Sequence, residues 1–132
     1  MNTLAILVTV FLNTQIQFHT LLGKNKNDVQ TTMSKDFHDY TSNNFGISTN
    51  DNTLRYYNAK KDMTLIYYFN EKQECKHIKT LEDIESLNNR ITELDKTFLK
   101  NGNLKWKTIQ NGKKIDVELI KDEYNFSVIY HY

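Results

Sequence analysis

The hydrophobic pattern of this chain changes period along its length, and those changes mark the elements. From Thr53 to Lys79 apolar residues recur roughly every second position, in three runs broken by turn-forming residues. The runs predict strands over Thr53–Asn58, Met63–Phe69 and Glu74–Lys79, with reversals at Ala59–Asp62 and Asn70–Gln73. Connections this short cannot carry a parallel crossover, so the strands must pair as antiparallel hairpins. From Leu81 the spacing becomes helical: Leu81, Ile84, Leu87, Ile91, Leu94 and Phe98 share one side, and Glu82, Glu85, Arg90, Glu93 and Lys96 lie mostly on the other. Thr80 with Asp83 resembles a capping box, and Gly102 suits a left-handed position beyond the last turn. The pattern therefore predicts one long helix beginning near Leu81.

Alternation returns afterwards in three further strands. Leu104, Trp106 and Thr108 form one; Ile115, Val117 and Leu119 the next; Tyr124, Phe126, Val128, Tyr130 and Tyr132 the last. Asn111-Gly112 is a strong hairpin dipeptide between the first two. Near the start, Asn25 as a cap, Asp28 in the first turn, and Val29 with Met33 predict a short helix. The stretch Ser34–Asn52, rich in Ser, Thr, Asn and Asp, reads as a loop containing one brief strand. A helix with one apolar side must bury it, and the one-sided strands are the available partner. The expected fold is α+β: a two-layer sandwich of antiparallel meander sheet against one long and one short helix, arranged as two helix-plus-three-strand units.

One strand departs from this pattern. Leu65 to Phe69 reads LIYYF, so Leu65, Tyr67 and Phe69 can face the helices while Ile66 and Tyr68 must face away. With Tyr57 on the preceding strand, these two residues form a candidate binding surface for a protein, a peptide or a second copy of the chain, since aromatic clusters match the composition of protein contact centres.

Composition narrows the alternatives. The 132 residues carry 17 basic and 16 acidic side chains, and this near balance argues against a nucleic-acid partner. A lone cysteine, Cys75, excludes an internal disulfide. Leu4 to Leu12 (LAILVTVFL) is too short to span a bilayer but has the length of a secretory core segment. It predicts a signal peptide over residues 1–18 and a single domain over 19–132 that is periplasmic, envelope-associated or secreted and has no integral membrane segment. The alternative is a cytoplasmic chain whose first element is buried.

Catalytic patterns are sparse. Cys75 and His77, two apart on a strand, would share a face and supply the nucleophile and base of a hydrolase, although no residue is placed to orient the imidazole. Asp36, His38 and Asp39 would need a particular turn to hold a cation, and Asp116 with Glu118 is explained by a wet sheet face. The four glycines never cluster into a phosphate loop. No cofactor is expected and no metal site is assigned. The reading is a non-enzymatic binding domain acting through Tyr57, Ile66 and Tyr68.

The segment LLGKNKNDV, with Gly23, Lys26 and Val29 opening a helix, followed by a Tyr-rich hairpin block, resembles the small exported bacterial proteins built from helix-plus-antiparallel-sheet repeats. The beta-lactamase inhibitor proteins and the small outer-membrane assembly lipoproteins are of that kind. The chain lacks the paired cysteines of the former and the leader cysteine of the latter. The resemblance implies a non-enzymatic envelope or secreted protein acting through a sheet surface, and no specific function.

Overall fold

The structure, a computed structural model, describes residues 17–42 and 52–132. A single turn of 3₁₀ helix, Phe18–Leu21, leads into α1 (Lys26–Asp36). Four strands follow: β1 (Thr41–Ser42), β2 (Thr53–Asn58), β3 (Met63–Phe69) and β4 (Cys75–Asp83). A second 3₁₀ turn, Ile84–Ser86, precedes α2 (Leu87–Thr97), and four more strands complete the chain: β5 (Leu99–Lys100), β6 (Lys105–Gln110), β7 (Lys113–Lys121) and β8 (Asn125–His131). All eight strands join one antiparallel sheet in the order β1-β2-β3-β4-β8-β7-β6-β5. Each half is a meander that runs inward from a two-residue edge strand, and the halves meet where β4 pairs with β8.

Local rules explain much of this. The Asn25 side chain accepts from the Asp28 amide at 2.8 Å, closing the first turn of α1. Asn111 and Gly112 take φ of 52° and 77°, as a tight hairpin between β6 and β7 requires. β2 and β3 have the predicted bounds.

The start of the long helix is displaced. Thr80 to Asp83 continue β4, with Thr80 and Glu82 buried, and the helical residues begin only at Ile84. β4 is hydrogen-bonded on both sides, to β3 and to β8, and those ladders override the local cap signal. Thr80 is therefore no cap. Its hydroxyl accepts from the Val128 amide at 3.0 Å inside the sheet, while Asp83 caps the 3₁₀ turn through the Glu85 amide. Both α helices span 11 residues, so the expected contrast of a long and a short helix is absent. Gly102 serves the β5–β6 connection and not a helix end, because the two residues of β5 intervene.

The core lies on one face of the sheet. Leu54, Tyr67, Ile78, Tyr130, Val117 and Trp106 are successive register partners from β2 to β6, and all are buried. Val29 and Met33 of α1 and Leu94 of α2 belong to the same core. Two polar contacts tie the helices to this row: Tyr67 Oη to Met33 Sδ at 3.2 Å, and Trp106 Nε1 to Asp95 Oδ1 at 2.8 Å. Phe18, at the end of the expected leader, packs its ring against Phe37 and Tyr40 in this core; residues 1–16 lie outside the described residues. Among the described residues no helix is long and apolar enough to cross a membrane.

Candidate functional site

The residues singled out in the sequence lie on the face of the sheet opposite that core. Ile66 is the register partner of Arg55 on one side and Lys79 on the other, and only 9% of it is exposed. Tyr68 stacks on His77 with ring centroids 4.1 Å apart and planes 18° from parallel. Tyr57 stands opposite Thr64 and donates to Asp62 Oδ1 at 2.8 Å; that hydrogen bond, ahead of burial, raises its pKa. Thr64 and Tyr68 are four positions apart on β3, about 13 Å at strand rise. The structure thus places Tyr57, Ile66 and Tyr68 on one face, with Ile66 between the positions of the two tyrosines. Charged residues interleave, since the row through Ile66 continues as Lys79, Ile129, Glu118 and Lys105.

Cys75 and His77 do not share a face. A register shift between Tyr68 and Phe69 pairs Phe69 with Cys75 but Tyr68 with His77, so the sheet carries one extra residue, Lys76, between them. Cys75 turns into the core and is 2% exposed, where burial pushes its thiol up to about 12. His77 stays on the outer face. A thiol held protonated on the far side of a sheet from its intended base cannot be activated by it. Asp36, His38 and Asp39 are exposed at the end of α1, and Asp39 pairs with Lys60 at 3.1 Å. Asp116 and Glu118 lie on the outer face, and Asp116 pairs with Lys114 at 3.3 Å. Among the described residues no three His, Cys, Asp or Glu side chains gather to hold a metal ion.

Among the described residues a concavity opens on the inner side. A cleft of about 670 Å³ opens between α2, the β2–β3 turn and the Phe18–Leu21 turn, and it falls within the usual size range of ligand sites. Phe18, Met63, Leu94 and Phe98 supply apolar wall, and Lys60, Lys61 and Asn89 stand at the exposed rim. His19 lies edge-on to Phe98 at 5.0 Å and stacks near Tyr130 at 6.3 Å. Burial lowers the His19 pKa, which keeps its imidazole neutral at physiological pH.

At the base of this cleft sits a buried ionic cluster. Arg90 places Nε 3.3 Å from Glu82 Oε2, donates from one terminal nitrogen to Glu93 Oε2 at 3.1 Å, and from the other to Tyr130 Oη at 2.9 Å. The Arg90 side chain is 14% exposed and that of Glu82 8%. Glu82 Oε2 also accepts from Thr80 Oγ1 at 2.6 Å. Burial alone would lower the Arg90 pKa, but Tyr130, Glu82 and Glu93 together hold it above its ordinary value. Burial likewise raises Tyr130. The Arg90 Nε approach to Glu82 is an ion pair without hydrogen-bond geometry, so the guanidinium is held by charge there and by directed bonds at its two ends. Nearby, burial raises Tyr40 to about 12; its hydroxyl and the Asn58 amide nitrogen are both buried without a well-formed hydrogen bond, although proximity to Asn58 partly offsets the rise.

The cluster is legible only in three dimensions. Arg90 and Glu93 sit one turn apart on the polar side of a helical pattern, whereas Glu82, Thr80 and Tyr130 come from strands. The available signal was Glu82 itself, a charge in a segment that also alternates as a strand: Ile78, Thr80, Glu82. Comparison of the chain with protein-family models, curated proteins and solved structures found no match.

Proposed function

We propose that this protein is a non-catalytic binding domain whose ligand seats in the cleft beside α2. The observation that carries the reading is the coincidence, in one concavity, of an aromatic and aliphatic wall with a fixed polar base: Phe18, Leu94 and Phe98 beside Arg90, Glu82 and Tyr130. Such a surface suits an amphipathic ligand, with its apolar body against the wall and its polar groups toward Lys61 and Asn89. The polar base is mutually paired, and among the described residues no activated nucleophile lines the cleft, which favours binding over catalysis.

The test uses 1-anilinonaphthalene-8-sulfonate as an amphipathic probe. Binding should raise its fluorescence, and Asn89→Trp, which fills the mouth from an exposed position, should abolish most of the rise while leaving the melting temperature unchanged. Equal fluorescence in both proteins would remove the cleft from consideration.

A second reading is favoured by the Tyr68–His77 stack, an aromatic pair on the face away from both helices. There a protein or peptide partner would contact Tyr57, Ile66 and Tyr68. Tyr57→Ser with Tyr68→Ser should then release a partner that Asn89→Trp retains; loss with Asn89→Trp alone would assign that partner to the cleft. A twin subunit on this face would register as a doubled mass in solution. Two finer points belong to the same proposal. The sheet order supports a two-layer sandwich of two helix-plus-strand units, each with four strands and not three. Export rests on the Leu4–Leu12 run, and the first residue of the native protein would test it.

A further inference from the structure

The outer face holds a second arrangement that the order of residues along the chain conceals. His77 of β4 and His131 of β8 are direct register partners where the two halves of the sheet meet. The row containing them reads Tyr68, His77, His131, Asp116, Lys107 across β3, β4, β8, β7 and β6. Directly opposed residues on antiparallel strands have Cβ atoms about 4.5–5.5 Å apart and point the same way. Two imidazole nitrogens bound to one ion sit about 3 Å apart at metal–nitrogen bonds of about 2.0–2.1 Å, a separation of the same order as that between directly opposed side chains. Both residues are partly exposed, so an ion can enter and solvent can complete its coordination.

We propose that His77 and His131 form a two-imidazole site for a divalent late transition-metal ion of the Ni²⁺, Cu²⁺ and Zn²⁺ group. Imidazole is a favoured ligand for these ions and not for Mg²⁺ or Ca²⁺. His131 is already oriented. Its Nδ1 lies 3.0 Å from the Tyr132 carbonyl oxygen, which can only accept, so that contact places the proton on Nδ1 and leaves the Nε2 lone pair free. His77 is held by its stack on Tyr68. Burial, then the charges of Lys76, His131 and Lys79, lower its pKa and keep the ring in the neutral form that binds metal. The surrounding charges are mixed: Asp116 flanks His131 on the next strand, while Lys76 and Lys79 stand near His77. The backbone beneath is the centre of an eight-stranded sheet, which limits how far the two rings can drift apart.

The test is titration of the full chain with Ni²⁺ at pH 7.5, followed by calorimetry and by the imidazole nitrogen resonances. One ion per chain should bind and shift the His77 and His131 signals together. His77→Gln and His131→Gln should each weaken binding at least tenfold, with folding verified by circular dichroism, while His38→Gln leaves it unchanged. Lys79→Glu keeps both rings, and by replacing a positive charge near His77 with a negative one it should tighten binding. Unchanged affinity in either His77→Gln or His131→Gln, resonance shifts confined to His19 or His38, or weaker binding in Lys79→Glu would each overturn the site.

Discussion

Replacing Arg90 by Met tests the account of the buried cluster most directly. Methionine keeps most of the length and apolar contact of the arginine stem while removing its charge. What remains is Glu82, whose side chain is 8% exposed and whose Oε2 retains only the Thr80 hydroxyl at 2.6 Å. Tyr130, 3% exposed, loses the guanidinium donor that meets its hydroxyl. Removing one partner of a buried ion pair costs about 3–5 kcal/mol, chiefly through the charge left uncompensated. For a chain of this size that corresponds to a melting temperature lower by about 10–20 °C. The double variant Glu82→Leu with Arg90→Met removes both charges and should return to within about 1 kcal/mol of the parent.

Acid titration supplies an independent signature. An unpaired carboxyl in this position has its folded-state pKa raised above its unfolded value, near 4.3. A group raised in that way is unpenalised below the unfolded pKa and loses its contribution as pH rises through the folded pKa. The Arg90→Met deficit should therefore be full at pH 7 and narrow as pH falls toward 4.5, measured by urea denaturation at each pH. A deficit below about 1 kcal/mol, or one that is the same at both ends of that range, would show that the pair is not the buried contact described above.

Three other outcomes follow from separate features. Gly23 has φ of 83°, and an added Cβ would lie 3.1 Å from the Tyr132 hydroxyl that donates to the Leu22 carbonyl, so Gly23→Ala should cost about 1–2 kcal/mol or more in a urea melt. The Cys75 thiol, raised to about 12 by burial, should resist iodoacetamide at pH 8 in the native protein and react promptly in denaturant; rapid native labelling would contradict its burial. His19 is lowered by burial, so its contribution to stability is present above the unfolded pKa near 6.5 and is lost as pH falls through the folded value. His19→Phe, which preserves a ring beside Phe98, should remove that part of the decline between pH 7.5 and 5.5.

The elements legible in the sequence are those governed by near neighbours. Alternation delimits Thr53–Asn58 and Met63–Phe69, Asn25 marks the start of α1, and Asn111-Gly112 marks a hairpin. Where a residue has partners on two distant strands, the local signal misleads. Thr80 carries a cap pattern, yet its segment lies between β3 and β8, and two ladders outweigh one capped turn. The two-residue edge strands β1 and β5 leave no periodic trace because they are shorter than one alternation can show.

The same contrast decides the chemistry. Spacing of two in a strand implies one face only when the register is unbroken, and the extra residue at Lys76 separates Cys75 from His77 while leaving each strand pattern apparently regular. In the other direction, the meeting of β4 with β8 sets His77 against His131 across most of the chain's second half, a pairing that no local pattern could contain. His77 thus loses a thiol neighbour to a one-residue irregularity and gains an imidazole neighbour through topology. The chemistry open to this face changes accordingly, from nucleophilic attack, which needs an activated sulfur, to coordination, which needs only two neutral rings held on adjacent strands.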